Sequence, residues 1–221
     1  MLKQQLVIAP LSILIVLTSS CLVAGQGRNE GLCPDMDYLD SMDLNAFKGS
    51  WYLQTGYSFG DIKKHRCQKT DYSCESGTEF SVRNFQISRK GGSQKVTKGS
   101  LTFIMGGLFF MTYDGAGAST SSSGSVGIDW KNLGYKVLRL DCDSLIIYAC
   151  QNLPNSPSGK HHAELVWVYT RDAQPSLNVM GACKVDLSAK GIYLDRLEST
   201  IHDEECGFYG ESATKFQKQL R

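Results

Sequence analysis

From Gly49 onward, apolar and polar positions alternate in short runs instead of recurring at helical spacing. The runs are rich in β-branched and aromatic residues and are separated by turn residues, which is the pattern of half-buried strands. They predict strands over Gly49–Ser58, Gln68–Cys74, Glu79–Ser88, Lys95–Ile104, Leu108–Tyr113 and Ser125–Trp130. Three more are predicted over Tyr135–Asp141, Leu145–Gln151 and Ala163–Arg171. Gly91-Gly92 falls between two of these runs and suits a tight hairpin turn. Many short antiparallel strands at this spacing make a sandwich or a barrel. One helix is predicted after them. Ser176 can cap it, Leu177, Met180, Lys184 and Leu187 follow at helical spacing, and Gly191 ends it. Ile192–Leu197 reads as a last short strand. A run of strands followed by one helix, with no internal repeat, implies a single domain.

The first residues follow a different pattern. Lys3 is the only early charge, Leu6 to Leu17 is almost purely apolar, and Ser19, Ser20, Val23, Ala24 and Gly25 supply a small-residue ending. This predicts a signal peptide over 1–25, cut near Gly25–Gln26 and leaving one domain over 26–221. The apolar run is shorter than the roughly 20 residues of a membrane helix. Thr18 stands where a bacterial lipoprotein signal wants a large aliphatic residue, which disfavours an anchor at Cys21. No other segment is apolar enough for a membrane span.

Composition narrows the classes further. The chain has 221 residues and a net charge of +1. Near neutrality gives no electrostatic footprint for nucleic acid, and no basic block suggests a membrane surface. Seven cysteines remain beyond Cys21: Cys33, Cys67, Cys74, Cys142, Cys150, Cys183 and Cys206. In the oxidising compartment that a signal peptide implies, most should pair, and an odd count leaves at least one thiol over. Their spacing does not suggest zinc. Asn-x-Ser/Thr sequons are absent. His161 and His162 are expected in a solvated turn after Lys160. No nucleophile elbow, P-loop or dinucleotide fingerprint is present.

The most specific local signal is Asn45-Ala46-Phe47-Lys48-Gly49-Ser50-Trp51-Tyr52. It resembles the Gly-x-Trp block on the first strand of the lipocalins. Leu140-Asp141-Cys142 matches the family's second block only at the aspartate. Leu165-Val166-Trp167-Val168-Tyr169-Thr170-Arg171 resembles the third block, which ends a strand with arginine. The resemblance implies an all-β fold, an eight-stranded antiparallel up-and-down barrel with one C-terminal helix packed outside. It makes Gly49, Trp51 and Arg171 a structural floor, the guanidinium stacked on the indole. Within the lipocalins the branch of apolipoprotein D, the insect bilin-binding proteins and crustacyanin is the most similar. The shared residues are Cys33-Pro34, Arg66-Cys67-Gln68 with Tyr72-Ser73, Tyr148-Ala149-Cys150 and Cys206. This branch implies disulfides Cys33–Cys150 and Cys67–Cys206.

The same resemblance implies a non-enzymatic, secreted carrier of a small hydrophobic molecule in the barrel interior. A bilin, carotenoid, retinoid, steroid, fatty acid or other lipid fits, and no cofactor is required. Matching positions make Tyr72, Asn84, Tyr135 and Trp167 candidate wall residues. Plain core packing stays open for Tyr72, Tyr135 and Trp167, and Phe85 and Ile87, as the more apolar side of their strand, would turn Asn84 outward. Phe103, Phe109 and Phe110 either line the mouth or fill the barrel, and Phe103 is counted with the wall. Three cysteines fall outside the pattern. Cys142 and Cys183 are candidates for a third bridge. Cys74 shares parity with Tyr72 and could face inward, as a buried hydrophobe, a covalent attachment point or a catalytic thiol. The Ser/Gly-rich stretch 116–127 is either a lid or an idle loop. A thiol-dependent lipid isomerase and a loop-mediated interaction protein remain rival readings, and a homo-oligomer stays open.

Overall fold

The computed structural model describes residues 28–57, 62–113, 133–153 and 161–207. Its strands are β1 (Arg28–Glu30), β2 (Gly49–Tyr57), β3 (His65–Ser76), β4 (Glu79–Ser88) and β5 (Gln94–Met105). They continue with β6 (Leu108–Tyr113), β7 (Gly134–Leu140), β8 (Ser144–Leu153), β9 (His161–Thr170) and β10 (Glu198–Ser199). Among the described residues two α-helices accompany them, α1 (Leu44–Phe47) and α2 (Leu177–Ala189). Each strand from β2 to β9 pairs antiparallel with the next, and β9 returns to pair with β2. The result is a closed eight-strand barrel with α2 outside it. Closure leaves no long free edge to template aggregation.

The up-and-down order gives the barrel two unlike ends. The β3–β4, β5–β6 and β7–β8 turns gather at one end with the start of β2 and the end of β9. The segment after Cys33 crosses this end. Leu39 N donates to Val137 O at 3.0 Å, Gly107 N to Leu39 O at 2.7 Å, and Lys136 Nζ to Met36 O at 2.9 Å. Gly106, at φ +52°, permits the approach, because a Cβ there would stand 2.5 Å from Leu39 O. At the other end, the mouth, stand the β4–β5 hairpin and the strand ends that flank residues 58–61, 114–132 and 154–160.

Strand alternation divides the apolar side chains into an interior and an outer set. Phe47, Trp51, Leu53, Phe80, Val82, Phe109 and Val137 belong to the interior cluster. Outside, Tyr57, Ile146, Tyr148 and Val166 pack under Cys183 and Leu187 of α2. The register of β2 on β9 shifts between Leu53 and Thr55. This bulge lets one strand feed both sets: Leu53 and Gly56 fall opposite the inward Tyr169 and Trp167, while Tyr57 falls opposite the outward Val166.

Several expectations change. Ile192–Leu197 is not a strand. Ile192 is buried under α2, its N–H bonds Leu187 O, and Leu194–Arg196 forms a 3₁₀ turn, so pairing with β2 waits until Glu198. His162 is not solvated. It lies in β9 at 5% exposure with Nδ1 3.0 Å from the Gly31 carbonyl, covered by β1, which the sequence reading lacked. Phe103, Phe109 and Phe110 border the β5–β6 turn and so stand at the closed end, away from the mouth. The Ser125–Trp130 strand, the 116–127 loop and the 1–25 leader lie outside the described residues. Among the described residues no helix is long and apolar enough to cross a membrane.

Disulfides join Cys33 to Cys150 and Cys67 to Cys206. Cys142 and Cys183 do not bridge. Cys142 is exposed on the β7–β8 turn while Cys183 is buried in α2, and with Cys74 they are free thiols.

Candidate functional site

The closed end is built around Trp51. The Asp43 side chain caps the one-turn helix α1 by accepting from Asn45 N at 2.8 Å, and the helix delivers Phe47 into the barrel. Trp51 Nε1 donates to Phe47 O at 2.8 Å. Arg171, just past β9, lies with its guanidinium carbon 3.5 Å from the Trp51 ring. It also donates to the carbonyls of Ser50 at 2.9 Å, Lys48 at 2.7 Å and Ala46. Gly49, at φ +95°, lets the chain pass, since a Cβ would stand 3.1 Å from Arg171 Nη1. Burial pushes the arginine's pKa down, and the three carbonyls and the ring face replace the water its charge has lost.

An aromatic layer lies on this floor. The Phe47 ring centroid is 4.4 Å from Tyr72, 5.0 Å from Phe109 and 5.6 Å from Phe80, and Phe103 meets Phe109 at 5.4 Å. Tyr72 is fully buried in this layer. Phe47 is the hub, and the sequence reading missed its role; its place two residues before Gly49 was the available signal.

On the β7–β9 side, Tyr135 and Trp167 stack with centroids 5.6 Å apart and planes at 17°. Tyr135 is buried at 3% exposure, whereas Trp167, on an inward position, keeps accessible surface. Across the barrel, Asn84 shares its side of β4 with Phe80 and Val82 and therefore faces inward. The expectation that Phe85 and Ile87 would occupy that side is reversed, because Ile87, with Phe85 against it, packs outside on the Cys67–Cys206 disulfide. Thr70 Oγ1 donates to Asn84 Oδ1 at 2.8 Å, and Thr70 is 4% exposed. Of the five expected wall residues, Tyr72 and Phe103 thus belong to the floor layer, while Tyr135, Trp167 and Asn84 surround the space above it.

Other polar groups are structural ties. Glu164, on the outer face of β9, accepts from Tyr148 at 2.9 Å and Tyr57 at 3.4 Å, takes the Asn29 amide of β1, and pairs with Arg196 at 3.6 Å. Burial, and then the Glu164 charge, push both phenols far up. Cys67, Asp203 and Cys206 converge as metal ligands would, but their sulfurs are spent on the disulfide. Cys74 packs against the interior at the closed end, and its Sγ faces the Gly77 carbonyl at 4.0 Å.

No protein-family model matches the chain, and no curated protein sequence does. Solved structures do match. Insecticyanin from the tobacco hornworm Manduca sexta superposes with a TM-score of 0.64 at 19% identity, covering 82% of this chain and 92% of that one. Apocrustacyanin C1 gives 0.65 at 15% identity, covering 84% and 97%. Lobster apocrustacyanin A1 gives 0.59 at 14%, covering 80% and 97%. The shared property is the fold, the lipocalin barrel.

Proposed function

We propose that this lipocalin-fold chain is a secreted, non-catalytic carrier that holds a small, flat hydrophobic molecule above the aromatic floor. The observation that carries the reading is Trp167. It points into a closed barrel, stacks on a buried tyrosine, and still keeps accessible surface, so the interior beside it is not filled by side chains. A stacked aromatic pair on one wall favours a planar apolar body, and the Thr70–Asn84 pair opposite supplies polar contacts that fix its orientation. Bilins, carotenoids, retinoids and steroids fit this description, and fatty acids fit the apolar part. Two disulfides agree with an oxidising compartment, as does the predicted leader. Cys74 does not favour the enzyme reading, because a carbonyl oxygen beside its thiol cannot serve as the base a thiolate needs.

The test is a fluorescence titration of the purified chain with retinol, biliverdin, progesterone and oleate. Saturable quenching with at least one ligand is expected, and Trp167→Ala should weaken that binding about tenfold or more through lost apolar contact. Absence of saturable binding to every class, with the fold intact by circular dichroism, would refute the reading.

A further inference from the structure

The net charge of +1 conceals a separation of charge. From Phe80 to Tyr113 the chain carries Arg83, Arg89, Lys90, Lys95 and Lys98 and no acidic residue. The other 187 residues hold 18 Lys and Arg against 22 Asp and Glu, a net of −4. The fold places this cationic stretch in the β4–β5 hairpin and β6, and the hairpin turn stands at the mouth. All five cations are exposed, and among the described residues none forms a salt bridge. Arg89 N donates to Lys64 O at 2.9 Å, which holds the turn against the Ile62–Lys64 segment, where Lys63 pairs with Glu198 at 3.1 Å.

Folding does not ask for this arrangement. Arg83 pairs in register with Lys98 across the outer face, and like charges directly opposite each other destabilise a sheet. Arg83 has Asp71 on its other side, but that carboxylate already engages Lys69 at 3.3 Å and Ser50 at 2.6 Å. Between Lys95 and Lys98, Val96 is 42% exposed beside Phe85. At the far end Asp35, Asp37 and Asp40 border one surface cavity of about 260 Å³, and in the β7–β8 turn Asp143 stands beside Asp141, which accepts from Arg139 Nε at 2.8 Å.

We propose that the β4–β5 hairpin docks the mouth onto an anionic lipid surface. Cations at the mouth are drawn to acidic headgroups, Val96 offers an apolar side chain at the interface, and the closed end with Asp35, Asp37 and Asp40 is turned away. An apolar cargo would then pass between bilayer and barrel without crossing bulk water. Docking itself does not depend on the cargo, so its test stands apart from the ligand titration.

The experiment is flotation of the ligand-free full chain with vesicles of phosphatidylcholine alone and of phosphatidylcholine with 30% phosphatidylserine. Expected is binding to the anionic vesicles only, abolished by 0.5 M NaCl, because charge interactions at that salt are screened within a few Å. Arg89→Glu with Lys90→Glu should lower the bound fraction roughly tenfold or more. Lys48→Glu with Lys184→Glu, the same charge change away from the mouth, should leave it near the original. Near-ultraviolet circular dichroism confirms folding of each variant. No preference for the anionic vesicles, or equal loss in both double variants, overturns the proposal. Salt-sensitive capture by an acidic protein without vesicle binding overturns it too.

Discussion

Arg171→Leu removes three charge-assisted hydrogen bonds and a ring contact, and it leaves the carbonyls of Ala46, Lys48 and Ser50 facing an apolar side chain. We expect a loss of about 3 kcal/mol in urea denaturation, and Arg171→Lys to recover only part of it because an ammonium cannot span the three acceptors. His202 gives a pH signature. Its Nε2 lies 2.7 Å from Leu53 O, and burial pushes the imidazole below the usual histidine range. The folded protein therefore takes up this proton less readily than the unfolded chain. The contribution is whole above the unfolded value of about 6.5 and is lost as pH falls below it. Between pH 7 and 5.5 the urea midpoint should drop less in His202→Asn than in the parent; an unchanged slope would remove His202 from the account. Among the thiols, Cys142 is exposed and Cys183 buried. A hydrogen bond to Asp143 raises the Cys142 pKa, so Asp143→Asn should speed its reaction with a disulfide reagent at neutral pH, while Cys183 reacts only on unfolding. The floor residues were legible because Gly-x-Trp and the terminal arginine are spaced by chemistry that any such barrel floor needs. The side of β4 that carries Asn84 was hard to read, because the more apolar side of a strand is the inner side only when nothing apolar covers the outside, and here the Cys67–Cys206 disulfide does.

Elements were readable wherever one face of a strand met the core and the other met water. The β4–β5 hairpin is the clear case, with Gly91 and Gly92 at φ +93° and +65° where the turn was expected. β1 was not readable, since Arg28–Glu30 has no apolar pattern and exists because β9 offers an unpaired upper edge. Nor was the path after Gly191, where α2 captures Ile192 before any strand partner can. The N-terminal cover is held by Cys33–Cys150, which closes a separation of 117 residues. Its removal by Cys33→Ser with Cys150→Ser should cost about 3–5 kcal/mol. Hydrogen exchange should quicken first at the Leu39 and Gly107 amides, which fasten the cover to the closed end. Uniform quickening across β3–β5 instead would show that the cover is not a separable unit.

For the molecule as a whole, a filled interior should couple binding to stability. A ligand at about a hundred times its Kd adds roughly 2.7 kcal/mol, visible as a rise in melting temperature that grows with concentration and shrinks in Trp167→Ala. The bulge in β2 carries a further consequence, for how this wall tolerates insertion and deletion. Gln54 shifts the reading phase of the strand, so that Gly56 lines the interior and Tyr57 joins the outer Glu164 cluster. A regular strand that kept Gln54 would send the tyrosine inward and the glycine outward with every residue unchanged, whereas deletion of Gln54 would remove the bulge and leave both where they are. A relative that paired these same residues without the bulge would present a different pocket, because the wall near the mouth is encoded in phase as much as in composition.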